Sequence, residues 1–280
     1  MSSLERETTL KPATLLSKGS RLVRDRAIVG VFPMEEALTL FDALAVLDAR
    51  NDRRRQRLSI LTLASMVASI GAPFAGLAIA CWVTIPAMVV LAALNYRLRR
   101  IDIPNDVRLF VLPWLRILSA DMRATETVSL KVDLRTSTDK CHRVADEVTN
   151  GKTWETYHHP WFSGEATLTD GARLQWSAVT HVRKHTTWKS KGRSKTKTKQ
   201  AIKYDVSLGL PSSSFAVDPV AKSGVEKIRV KPGEKRNVVR VSYVAHSASS
   251  LTPAKLDDLV NTVALAYGRG TPQATTEQST

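Results

Sequence analysis

From Leu58 to Tyr96 the chain carries no charged residue, and the pattern of apolar and polar positions is different on either side of that run. Ahead of it, Leu40, Phe41, Leu44 and Leu47 recur at helical spacing behind Pro33, Glu35 and Glu36. Proline suits a first helical turn and acids favour its positive end, so the pattern predicts an amphipathic helix over 33–52. Residues 1–32 are rich in Ser, Thr and charge and read as a disordered or loosely docked arm. Behind the run, Pro104-Asn105-Asp106 opens a second helix over 104–123. Its apolar positions include Phe110, Trp114, Leu115 and Leu118, and Pro113 should bend it. A basic face with a tryptophan fits either an interfacial helix or one that packs on the domain that follows.

At Thr127 the period changes from helical to two. Val128, Leu130, Val132 and Leu134 alternate with Ser129, Lys131, Asp133 and Arg135, as in a half-buried strand. Asp170-Gly171 joins strands over 165–169 and 172–180 as a two-residue hairpin, and Pro232-Gly233 separates 227–230 from 238–244. With 201–210 and a short strand near Trp154–Tyr157, six or seven antiparallel strands follow, which predicts a small sandwich or barrel. A closing helix carries Leu256, Leu259, Val260, Val263 and Tyr267 on one face, so the β-rich domain spans 124–270 and leaves 271–280 as a tail.

The charge-free run is too long for one membrane span and just long enough for two, since a span takes about 20 apolar residues. Gly71-Ala72-Pro73-Phe74-Ala75-Gly76 interrupts it where a hairpin would reverse. Arg53, Arg54, Arg55 and Arg57 flank one end, and Arg97, Arg99 and Arg100 flank the other. Arginines stay on the cytoplasmic side, which places both ends there. The fold class expected is therefore a membrane α-helical hairpin of two transmembrane helices over 58–96, followed by a cytoplasmic, mainly antiparallel β domain with flanking amphipathic helices. The protein would be integral to the cytoplasmic (inner) membrane with both termini cytoplasmic. The competing reading is a buried helical hairpin in a large core, which would normally carry a polar stripe, and none is present. Ala64 with Ala68, and Gly76 with Ala80, give small-residue spacing through which hairpins could pair into a homo-oligomer.

Charge adds a partner class. The 280 residues carry a net charge of +15, which calls for an anionic surface. Arg183 to Lys203 holds most of the local excess, with Arg183, Lys184, Lys189, Lys191, Arg193, Lys195, Lys197, Lys199 and Lys203 around Trp188. Lys195, Lys197, Lys199 and Lys203 share a face if extended, so the segment reads as a basic two-stranded ribbon turning near Gly192. Its expected partners are the lipid bilayer's anionic head groups or another polyanion. The plainer account is an edge hairpin whose lysines prevent aggregation.

Catalytic motifs are missing. Two cysteines, Cys81 and Cys141, build no disulfide framework or metal spacing, and no HExxH, phosphate loop or GxSxG occurs. His158 and His159 are adjacent and would point to opposite strand faces, which is poor for shared metal binding. No cofactor, no metal and no enzymatic activity are expected. The leading reading is a non-enzymatic integral membrane protein whose basic β domain binds head groups or a polyanion. In the order of its elements the chain resembles a class of bacterial antiviral effectors, in which a β-barrel senses a cyclic nucleotide and spans then disrupt the membrane. That resemblance implies a ligand-gated effector, with Trp176 and Trp188 stacking on a base and lysines holding its phosphates. A hydrolase built around His158 is the third reading.

Overall fold

The computed structural model describes residues 26–74, 81–100, 104–149, 152–188, 193–217, 227–247 and 253–272. The chain divides into two compact units, one taking it up to Leu40 and again from Leu109, the other made of Phe41–Arg108.

The first unit is built on an antiparallel sheet of eight strands. These are β1 (Ala27–Pro33), β2 (Thr127–Asp133), β3 (Arg143–Thr149), β4 (Lys152–Thr167), β5 (Arg173–Trp188), β6 (Ser194–Pro211), β8 (Lys227–Lys231) and β9 (Arg236–Ser247). Their order is β1-β2-β4-β5-β6-β9-β8, with β3 also paired to β4. Two short strands, β7 (Phe215–Val217) and β10 (Gly270–Pro272), pair with each other. The alternation expected from Thr127 is present, with Val128, Leu130 and Val132 buried and Thr127, Ser129 and Lys131 exposed.

Several elements differ from the sequence expectation. The sheet is a single open layer rather than a sandwich or barrel. The supposed arm contributes β1, which pairs with β2 from Ala27↔Asp133 to Pro33↔Thr127. The Asp170-Gly171 turn is wider than two residues. Leu168 N–H donates to Ala172 O at 2.8 Å, Gly171 N–H donates to Leu168 O at 2.9 Å, and Gly171 takes φ +78. That is a three-residue loop closed by a left-handed glycine.

Helices cover one face of the sheet. A π-helical turn, Val107–Val111, leads into α3 (Leu112–Ala120). Pro113 offers no N–H for Leu109 O, and the wider turn just before it accommodates the missing bond. Phe110 packs edge-on to Trp161 and Phe162 at 5.1 and 5.7 Å and lies parallel to Tyr204 at 6.1 Å, while Trp114 meets Trp176 at 5.5 Å. Helix α3 therefore packs on the β domain, which resolves its two readings. The closing helix, α4 (Leu256–Tyr267), buries Leu259, Thr262 and Ala266. Its start is tied to the core by Tyr204, whose hydroxyl donates to Lys255 O at 3.3 Å and accepts from Lys255 N–H at 3.2 Å.

In the second unit, α1 (Met34–Phe74) continues in from the first, and α2 (Cys81–Arg100) follows. Asn95 donates to Ser59 Oγ at 3.1 Å, which sets the helices side by side. Thr62 and Ser69 donate to the carbonyls of Leu58 and Ser65, one turn earlier. Arg108 lies 3.8 Å from buried Asp48 and 3.7 Å from Asp52. Ile60, Leu63, Val67 and Ile70 of α1, with Val89 and Val90 of α2, stand more than half exposed.

This geometry overturns the membrane hairpin. Among the described residues no helix is long and apolar enough to cross a membrane. In α1 the charge-free part runs only from Leu58 to Phe74 and is diluted by Ser59, Thr62, Ser65 and Ser69. In α2 it ends at Tyr96, before Arg97. Both fall short of the about 20 apolar residues a span requires. The integral placement and the inner-membrane localisation fall with it, since both rested on those spans. Arg53, Arg54 and Arg57 sit exposed in the middle of one continuous helix, and Arg55 lies 3.9 Å from Asp52. Arg97 is exposed, and Arg99 and Arg100 end α2. These arginines flank no membrane span.

One close approach gives a direct test of the core. A Cβ on Gly164 would lie 2.6 Å from Ser129 O and would collide with the Trp176 ring. Gly164→Ala should cost about 1–3 kcal/mol by overpacking. Gly209→Ala, where the nearest atom is 3.7 Å away, should cost less. Urea unfolding of both variants measures the difference.

Candidate functional site

Two features of the first unit stand out: the sheet face opposite α3 and α4, bare of that unit's own helices, and a buried cluster at the end of β2.

On the bare face, the register of β5 and β6 sets Arg183 opposite Lys199, His185 opposite Lys197, and Thr187 opposite Lys195. Paired residues share a face, so Arg183, Lys195, Lys197 and Lys199 form one exposed group, as the alternation predicts. Lys203 is on the same side and binds Asp205 at 2.8 Å. Farther along, β8 and β9 set Arg229 directly opposite Arg240. Like charges placed directly opposite destabilise a sheet. The carboxylates sharing this face are already matched: Glu147 lies 3.9 Å from Arg183, Glu165 binds Arg173, and Asp205 holds Lys203. Lys195, Lys197 and Lys199 have no carboxylate partner among the described residues.

The remaining predicted residues are dispersed. Lys184 belongs to the opposite face, with its Nζ over the Tyr157 ring at 5.0 Å. Arg193 is exposed just ahead of β6, and Trp188 pairs with Ser194 at the last register position. Lys189 and Lys191 lie outside the described residues. Trp176 is 3 % exposed inside the core, so it offers no face for a base, and the interior beside it is filled by aromatic rings. Trp154 is the aromatic on the bare face, stacked on His185 at 4.3 Å with the Arg183 guanidinium 4.1 Å from its ring. A shallow groove of about 450 Å³ crosses β5, β6 and β9 between Gln175, Ser177, Lys203, Asp205, Arg240 and Ser242.

The buried cluster arises where β4 changes partner. Along one edge β4 pairs with β5 over its whole length, while along the other it pairs with β3 up to Tyr157 and with β2 from Phe162. The register shifts between Pro160 and Phe162, a bulge at Trp161 next to a proline that has no N–H to give the ladder. The opening receives Asp133 from the end of β2, His159 from β4, and His142 from the 3₁₀ turn Lys140–His142. All three are buried. Asp133 Oδ2 lies 3.7 Å from His142 Nε2 and 3.8 Å from His159 Nε2, and the two imidazole centroids are 4.1 Å apart. Arg135 orients the carboxylate, its backbone N–H donating to Oδ1 at 2.9 Å and its Nη2 to Oδ2 at 2.6 Å.

The electrostatics follow from burial. Burial pushes His159 down to about 4, and the neighbouring His142 adds to that, while Asp133 opposes it. His142 is lowered as well, again mainly by burial. Burial alone would raise the Asp133 carboxyl, but hydrogen bonds from Arg135 and its charge hold it below the usual carboxylate range. The site thus holds an anionic carboxylate and two neutral rings at neutral pH. Pairing His158 with His159 could not reveal it. His158 faces the other way, toward His181 at 4.8 Å, and the spacing of Asp133, His142 and His159 carries no recognisable motif.

No family model matches the chain, and no curated protein or solved structure is significantly similar to it. The functional reading therefore rests on the geometry of this chain.

Burial of a neutral His159 gives a pH signature. The unfolded imidazole takes a proton near 6.5 and the folded one only near 4, so between these values the unfolded state binds more protons. This residue's contribution to stability should be complete above 6.5 and lost as pH falls through about 4. Urea midpoints measured across that window should fall with pH, and less so in His159→Gln.

Proposed function

We propose that the protein is a non-enzymatic binding module whose bare sheet face engages the phosphates of a nucleic-acid strand. The observation that supports this reading most is the exposed row Lys195, Lys197 and Lys199, without a carboxylate partner among the described residues, on the same face as Arg229 held directly opposite Arg240. Repulsion between such pairs costs stability in the free protein and is relieved when an anion sits over them. The shape of the patch favours a linear polyanion. Lys195, Lys197 and Lys199 repeat at about 6.8 Å along β6. The basic residues extend from that end of the sheet past the shallow groove to Arg240 and Arg229. Phosphate contacts of this kind position a strand without reading its bases, so binding should be tolerant of sequence. Trp154 is already covered by His185 and Arg183, which makes charge rather than base stacking the source of affinity.

The test is fluorescence anisotropy of the full chain with labelled single strands and duplexes of unrelated sequence over a salt series. Each phosphate contact contributes about −0.7 to the logarithmic salt slope for single strands and about −0.9 for duplex. Replacing Arg183, Lys195, Lys197 and Lys199 by glutamine should flatten the single-strand slope by about 3 and weaken binding to all sequences alike. Anionic vesicles run in parallel should bind more weakly at the same salt. Binding that ignores salt, or vesicles that outcompete nucleic acid, would refute the reading.

A further inference from the structure

We infer that Asp133, His142 and His159 form a binding site for one divalent transition-metal ion of the zinc type. The geometry that points there is a mismatch between burial and hydrogen bonding. His142 Nε2 and His159 Nε2 are buried without a hydrogen-bond partner, on side chains only 7 % and 5 % exposed. At 3.7 and 3.8 Å, Asp133 Oδ2 is too far to accept from either. Two orphaned ring nitrogens aimed at one buried carboxylate are rare unless something sits between them.

Distances decide what that is. A shared water with legs of about 2.8 Å and a near-tetrahedral angle needs ligand atoms about 4.5 Å apart. A metal bonded at about 2.0–2.1 Å needs them about 3.3 Å apart in a tetrahedron and about 4.1 Å apart if linear. The two Asp133–His separations fall inside the metal range and short of the water range. The three ligand atoms together lie within 4.8 Å of one another, wider than the about 4.1 Å a metal can bridge, so the two imidazoles must turn toward each other to close the set. Each ligand comes from a different element, β2, the 3₁₀ turn and β4, so the ion would pin the gap that β4's change of partner opens.

Selectivity follows from the donors. Two imidazole nitrogens and one carboxylate oxygen suit zinc, cobalt, nickel and copper, whereas magnesium and calcium prefer oxygen throughout. The Arg135 guanidinium on Asp133 holds the carboxylate in place, as outer partners of metal ligands do. It also offsets the carboxylate charge, which disfavours ions that bind by charge alone. One coordination position remains for water or a small anion.

The experiment uses the full chain, stripped with chelator and titrated with zinc and, separately, with cobalt(II). The expected results are one zinc per chain by elemental analysis, a visible cobalt band of low-symmetry type, and no uptake of magnesium or calcium. His142→Asn and His159→Asn should each weaken zinc binding at least 100-fold. His158→Asn on the bare face and Cys141→Ser on the turn should leave it unchanged. His142 sits on a short surface turn, so its variant keeps the test decisive even if His159→Asn fails to fold. Lack of zinc uptake, undiminished uptake by His142→Asn, or loss of uptake in Cys141→Ser would overturn the assignment.

Discussion

The change of partner along β4 is the constraint on which both functional features depend. A strand of sixteen residues is paired to β5 on one edge throughout, and no single neighbour serves its other edge. Pro160 cannot donate to a ladder, and the bulge between it and Phe162 ends one pairing and starts the next. The consequence is a sheet long enough to carry a basic strip on one face, with an interior opening where β2 and β3 fail to meet. A regular β4 would pair with one strand and leave no room for Asp133, His142 and His159.

The two faces of that sheet divide the labour. One is sealed by Phe110 and Trp114 against Trp161, Phe162, Trp176 and Tyr204, and by α4 through the Tyr204 hydroxyl. Burial of these rings together with the Leu and Val side chains around them drives folding there. The other face contributes little to that core and is free to hold charges that repel one another. Repulsion between Arg229 and Arg240 is tolerable because Val239 and Val241, on the opposite face of β9, are fully buried. A metal at the edge of this core would act in the same sense, tying the 3₁₀ turn to the paired strands β2 and β4.

Much of the first unit was legible because alternation survives wherever one face is buried: Val128 to Val132 and the Leu256–Tyr267 helix read correctly. Strand lengths were underestimated, since the outer halves of β4, β5 and β6 are Thr- and Lys-rich and resemble a ribbon standing apart. β1 and β3 escaped notice because Ala27–Pro33 is short and Arg143–Thr149 is polar. The apolar run misled for a physical reason. Absence of charge was read as a pair of spans, whereas α1 begins at Met34, carries its arginines mid-helix, and leaves Leu58–Phe74 as its apolar end. The basic face was legible from lysine alternation alone, whereas Trp176, expected to stack on a base, lies buried in the core. The buried cluster was illegible. Its members are brought together by a bulge and a 3₁₀ turn, and neither leaves a periodic trace.

The opening made by β4 has the shape and donors of a built metal site. Crystals of the full chain grown with zinc, measured at the zinc absorption edge, test it most directly. One anomalous peak per chain is expected, about 2.0–2.2 Å from Asp133 Oδ2, His142 Nε2 and His159 Nε2. A peak elsewhere with none between these three atoms would contradict it, as would an ordered water hydrogen-bonded to all three.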